Sequence, residues 1–173
     1  MPIAPLLLSL ATLGQAPTDR TEYYLSESRV ISPDGKPLGI IAGIVRREYR
    51  PGERKIVEMG IALDPAPGSL PTVTNIEWTV DGQSATITER SERINGKGKL
   101  TGPPWAWTDW TSTVTMKDVP GTFRNTAKAT PRGIATRTEQ LDASGKRLAL
   151  FDQVDTKIRK ETYDVLRAKL LPQ

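Results

Sequence analysis

What most constrains this chain is its punctuation. Turn chemistry recurs at short intervals, as Pro33-Asp-Gly-Lys36, Pro51-Gly-Glu53, Asp64-Pro-Ala-Pro-Gly68, Asp81-Gly82, Pro120-Gly121, Pro131-Arg-Gly133 and Ala143-Ser-Gly-Lys146. Proline removes a backbone donor and glycine opens φ > 0, so no long helix runs through such a series. The stretches between the corners are short and alternate apolar with polar residues, which is the signature of strands. Extended segments are predicted over Glu22–Ser32, Leu38–Arg50, Lys55–Leu63, Thr72–Val80, Gln83–Arg90, Thr111–Met116, Phe123–Thr130, Ile134–Leu141 and Arg147–Thr156. Val57, Met59, Ile61 and Leu63 share one face, the pattern of a sheet with one buried side, and Ile76, Trp78 and Val80 oppose Asn75, Glu77 and Thr79. Asp81-Gly82 is a strong hairpin signal, and Asn95-Gly-Lys-Gly98 reads as a further turn. One helix is predicted, over Arg159–Leu171, where Tyr163, Leu166 and Leu170 recur at helical spacing.

The fold class is therefore all-β, an antiparallel meander of about nine or ten strands. A meander that long hides its edges by closing into a barrel or by folding into a two-sheet sandwich, with the helix laid against it. The barrel is favoured. The Gly-Lys-x-Leu pattern shared by residues 35–38 and 145–148 reads as one turn used twice, within a single domain over 17–173. Ahead of it, residues 1–16 hold an uncharged apolar run, Ile3–Leu13, that ends in Gly14-Gln-Ala16. This reads as a short export signal, too short to span a bilayer as a helix; an apolar N-terminal strand or tail is the alternative.

The composition removes whole classes of chemistry. The 173 residues include no cysteine and no histidine, hence no disulfide, thiolate nucleophile, zinc–thiolate site or imidazole base. No catalytic residues, metal ligands or cofactor are expected, and the reading is of a protein that is not an enzyme. A histidine-free glycosidase would need two carboxylates facing across a cleft. The net charge of +4 is a weak bias toward anionic surfaces. Arg46-Arg-Glu-Tyr-Arg50 and Arg54-Lys55 gather positive charge at one hairpin tip, which is either a contact for such a surface or simply a solvated corner. Only Tyr49 is interleaved there, too little aromatic surface for nucleic acid.

Three of the four tryptophans lie in the run Gly102-Pro-Pro-Trp-Ala-Trp-Thr-Asp-Trp110. Trp105, Trp107 and Trp110 have two readings, a core plug and a ligand platform, because indole joins a large apolar face to one donor. Asp109 between them could hold a ligand hydroxyl or cap the bend. The candidate ligand-binding residues are thus Trp105, Trp107, Trp110 and Asp109, while Trp78 is predicted to be core. Ser26 and Ser28 share a face, as do Thr111, Thr113 and Thr115, and Gly39 and Gly43 leave side-chain volume empty. Such faces either line a cavity or, for the threonines, meet water outside the sheet.

The export-like start, the meander and the closing helix together resemble the lipocalin-like, calycin-type β-barrels of secreted bacterial proteins, over about residues 22–171. The resemblance is architectural: the family's Gly-x-Trp is replaced here by Glu22-Tyr-Tyr-Leu25. It implies a non-enzymatic binder or carrier of a small apolar molecule or lipid. The expectations are a monomer, periplasmic or secreted, with no nucleic-acid partner. The alternative is a carbohydrate-binding or protein-interaction β-sandwich with an exposed tryptophan platform.

Overall fold

The computed structural model describes residues 18–62, 71–89, 93–101, 105, 109–117 and 119–171. The export-signal reading of residues 1–16, the corner 64–68, and Trp107 lie outside them. Ten strands follow in order: β1 Arg20–Ile31, β2 Pro37–Arg50, β3 Lys55–Ala62, β4 Val73–Asp81, β5 Ser84–Glu89, β6 Ile94–Leu100, β7 Asp109–Met116, β8 Val119–Thr130, β9 Gly133–Leu141 and β10 Arg147–Ile158. Helix α1, Lys160–Leu170, comes last. Each strand pairs antiparallel with its neighbours in sequence, and β1 pairs with β10, so the meander closes into a barrel. Closure leaves no open edge, which is why the barrel prevails over the sandwich.

Nine of these strands fall where the alternation predicts them, and β6 does not. Asn95-Gly-Lys-Gly98 is not a turn but the middle of β6. Its inward positions are Ile94, Gly96, Gly98 and Leu100, and its outward positions are Asn95, Lys97 and Lys99. The alternation is intact, but two of its apolar members are glycines. A Cβ on Gly98 would stand 2.5 Å from the Trp78 ring, and one on Gly96 2.4 Å from the Thr113 carbonyl oxygen. Glycine in a strand interior marks such close approaches.

The turn used twice is confirmed in detail. In the β1–β2 turn Ser32 N–H donates to the Lys36 carbonyl and Gly35 N–H to the Ser32 carbonyl, at 2.9 and 3.0 Å. In the β9–β10 turn Asp142 and Gly145 do the same toward Lys146 and Asp142, at the same distances. Gly35 and Gly145 hold φ of 87° and 85°, a conformation side chains resist. The side chains of Ser32 and Asp142 each accept the backbone N–H four residues on, at 2.9 Å.

Two apolar clusters result, one inside the barrel and one outside. The inner cluster packs one end with Tyr24, Tyr49, Ile56, Val80, Leu100, Ala127 and Ile134. The outer one lies beneath α1: Tyr163 packs on Ile44 and Ile61, with Tyr23, Met59, Leu166 and Leu170 around them. The face of β3 carrying Met59 and Ile61 is thus buried as its alternation predicts, but against the helix. The barrel interior receives the other face of β3, Ile56 and Glu58.

Candidate functional site

The strands place a cavity of about 470 Å³ inside the barrel. It lies away from the packed end, toward the end that carries the 32–36 and 142–146 turns. Its walls differ in chemistry. Strands β4 to β8 supply an apolar wall of Ile76, Trp78, Ile87, Trp110, Val114 and Phe123. Trp78 and Trp110 meet edge to face there, with ring centroids 4.9 Å apart and planes at 70°, the preferred arrangement for aromatic pairs. Facing them, β8 to β10 and β1 to β3 supply a polar arc that includes Asn125, Thr138, Gln153, Asp155, Arg47 and Glu58.

The arc is organised by its own hydrogen bonds. Thr138 Oγ1 donates to Asn125 Oδ1 at 2.6 Å, and Asn125 Nδ2 donates to Ser112 Oγ at 2.9 Å, a chain across three strands in register. Gln153 Nε2 donates to Asp155 Oδ1 at 2.8 Å. Arg47, 2 % exposed, donates through Nε to Glu58 Oε2 at 2.8 Å, and its Nη2 bonds Glu58 as well. The same Nη2 stands 3.6 Å from Asp155 Oδ2. The guanidinium lies 5.0 Å over the Tyr24 ring. Burial pushes the Asp155 carboxyl above its ordinary range; Arg47 opposes this and the neighbouring Glu58 charge adds to it. Burial would lower the Arg47 pKa, but Glu58, Tyr49 and Asp155 raise it further, so the guanidinium stays charged.

Beneath this lies the closed end. Burial favours the neutral form of Glu22, yet hydrogen bonds from Lys157, Tyr24 and Tyr49 hold its carboxyl at about 2. Tyr24 Oη donates to Glu22 Oε2 at 2.6 Å and Lys157 Nζ to Oε1 at 2.8 Å. Arg20 stacks over Tyr49 at 3.7 Å, and burial pushes that phenol up to about 12.

The sequence candidates fall in different places. Trp110 is 8 % exposed, points into the barrel and lines the cavity. Trp78 is core, as expected, and lines the cavity too. Trp105 is half-buried and packs on the inner cluster but is not among the residues that line the cavity, and Trp107 is not among the described residues. Asp109 is exposed; its Oδ1 accepts the Ala129 N–H at 3.2 Å, and its carbonyl accepts from Thr101 N–H and Oγ1. That is a capping role at the start of β7. Ser26 and Ser28 are buried inside, whereas Thr111, Thr113 and Thr115 face water. Gly43 leaves no void, since a Cβ there would meet the Ile61 carbonyl oxygen at 2.9 Å.

The charged members of the arc escaped the sequence reading, although a signal for them exists. Arg47 shares strand parity with Val45 and Tyr49, and Glu58 with Ile56, so alternation alone puts both inside. The density of positive charge around Arg47 masked that parity.

No protein-family model matches this chain, nor does any curated protein or solved structure. Fold and cavity define the class: a closed ten-stranded antiparallel barrel with an internal cavity and a C-terminal helix, an architecture consistent with lipocalin-like barrels.

Proposed function

We propose that the barrel binds or carries a small, mainly apolar molecule without transforming it, as lipocalin-like barrels do. The observation that carries this reading is the cavity, whose volume of about 470 Å³ lies within the range of small-molecule sites and whose aromatic wall faces a polar arc. Glu58 and Asp155 both contact Nη2 of the buried Arg47, so the charged groups of the lining are tied to one another as an ion-paired wall of the cavity. The sandwich with a tryptophan platform draws no support from Trp110, which is enclosed, or from Trp105, which packs on the core.

An exported location belongs to the same proposal and is supported by the apolar run Ile3–Leu13. Cell fractionation with the intact mass of the recovered protein tests it. The outer face of β6 to β8, with Lys97, Thr113, Arg124 and Lys128, supports a water-facing barrel, since cations on a lipid-facing strand are expensive.

The test of binding is titration with apolar fluorescent probes of graded size. Occupancy should quench or shift tryptophan emission, because Trp78 and Trp110 line the cavity. A series of probes that leaves the emission unchanged would overturn the reading.

A further inference from the structure

We propose that the outer face of strands β5 to β8 is a docking surface for an anionic polysaccharide, a chain that carries both repeated negative charges and hydroxyl groups. The surface lies outside the barrel, so the inference is independent of the cavity reading above. Alternation turns Ala85, Ile87, Trp110, Val114 and Phe123 inward and leaves Lys97, Lys99, Arg124 and Lys128 outward and exposed. None of these four forms an ion pair among the described residues, whereas Arg46, Arg50, Arg54 and Lys55 at the hairpin tip are each paired. Asp109, at one edge, is the one acid among the described outward positions of these strands, and it is engaged with the Ala129 N–H. Uncompensated positive charge is thus gathered on one face.

The strand register sets these groups side by side. Lys97 stands opposite Thr113, and Thr113 opposite Arg124; two residues along, Lys99 stands opposite Thr111, and Thr111 opposite Thr126. With strands about 4.8 Å apart and two residues spanning about 7 Å, the cations are spaced at about 7–10 Å, with threonine hydroxyls between them. These six side chains line an open groove of about 330 Å³.

The make-up of the face selects the partner. A hydroxyl both donates and accepts, so the threonine rows complement the hydroxyls of a sugar chain, while the lysines and Arg124 meet its anionic groups. An anionic bilayer fits less well. Among the described residues the exposed large hydrophobics, such as Leu38, Ile40 and Val165, lie on β1, β2, β4, β10 and α1, so β5 to β8 offer nothing to insert between lipids. A single-stranded nucleic acid fits less well too, because the described outward positions of these strands carry no aromatic ring for base stacking.

Dextran sulfate and neutral dextran share one backbone and differ in charge, so fluorescently labelled forms of both are titrated with the wild-type protein at about 0.15 M salt. Dextran sulfate should bind, and neutral dextran should not. Lys97→Gln combined with Arg124→Gln should weaken binding by at least about tenfold, while Arg50→Gln with Arg54→Gln, which removes the same charge from the paired tip, should change it by less than about twofold. The first variant should also flatten the fall of log affinity with log salt, a readout that a smaller folded fraction would not produce. Equal losses in the two variants, or no binding of dextran sulfate, would overturn the proposal. A single-stranded oligonucleotide or phosphatidylglycerol vesicles competing as well as dextran sulfate at equal anion concentration would overturn it too, since the partner would then be a nucleic acid or a bilayer.

Discussion

Gly98 and Trp78 occupy complementary halves of one space: the indole fills the volume that any side chain at position 98 would take. Gly98→Ala should cost about 1–3 kcal/mol, the usual penalty of overpacking. Gly39→Ala is the control, because a Cβ there meets nothing within 4 Å, and its denaturation midpoint should stay close to that of the parent. Trp78→Ala empties the other half and should cost roughly 3–5 kcal/mol by chemical denaturation. Trp110→Ala belongs in the same range, since Trp110 packs edge-on against Trp78 inside the barrel. A Trp110 variant as stable as the parent would show that its ring faces water.

At the scale of elements, α1 serves the outside of the barrel. Its first turn is tied by Lys160 to Asp164 at 2.5 Å, and Tyr163 meets Tyr23 at a ring distance of 5.0 Å. Ile44 and Ile61 are buried only because this helix covers strands β1 to β3. Ending the chain after Arg159 would expose them together with Tyr23 and Met59, forming an apolar patch of the kind that drives association. The truncated barrel should melt lower and elute in size-exclusion chromatography as dimers or larger species. Elution as a stable monomer would mean that the helix is dispensable.

Across the whole molecule, charge is distributed differently from its distribution along the chain. The basic hairpin tip is neutralised in place: Arg46 pairs with Glu48 at 2.8 Å, Arg50 with Glu48 and Glu53, Arg54 with Asp81, and Lys55 with Glu77 at 3.0 Å. By contrast, Lys97, Lys99, Arg124 and Lys128, on the outer face of β6 to β8, form no ion pair among the described residues. Replacing Lys97 and Arg124 by Gln should lower the salt needed to elute the protein from a cation exchanger. Replacing Arg50 and Arg54 should change it less, because paired charges present little net field.

Stability against pH follows from the same arrangement. The folded Glu22 carboxyl sits at about 2, below its ordinary 4.5. Its contribution is therefore fully present above pH 4.5 and is lost as pH falls toward 2. Asp155 acts in the opposite sense: its raised pKa means that the folded state holds a proton the unfolded chain has released, so this group lowers stability as pH rises above its ordinary value of 3.8. Glu22→Gln should flatten the loss of stability between pH 4.5 and 2, as read from urea midpoints across that window. An unchanged acid slope would exclude Glu22 as its source.

The sequence by itself determined the class of fold, nine of the ten strands, the closing helix and the doubled turn. These depend on local rules: alternation with a period of two, glycine where φ is positive, and proline where a ladder must stop. It also determined Trp78 as core, from its parity with Ile76 and Val80. Only the tertiary structure decided which buried face lies inside the barrel, because alternation separates two faces without saying what covers each. For this reason Met59 and Ile61 meet a helix while Glu58 faces the cavity. Strand β6 was illegible because the reason for Gly96 and Gly98 lies on other strands, in Trp78 and Val114. The joining of Arg47, Glu58 and Asp155 was illegible for the same reason: β2, β3 and β10 come together only when the barrel closes.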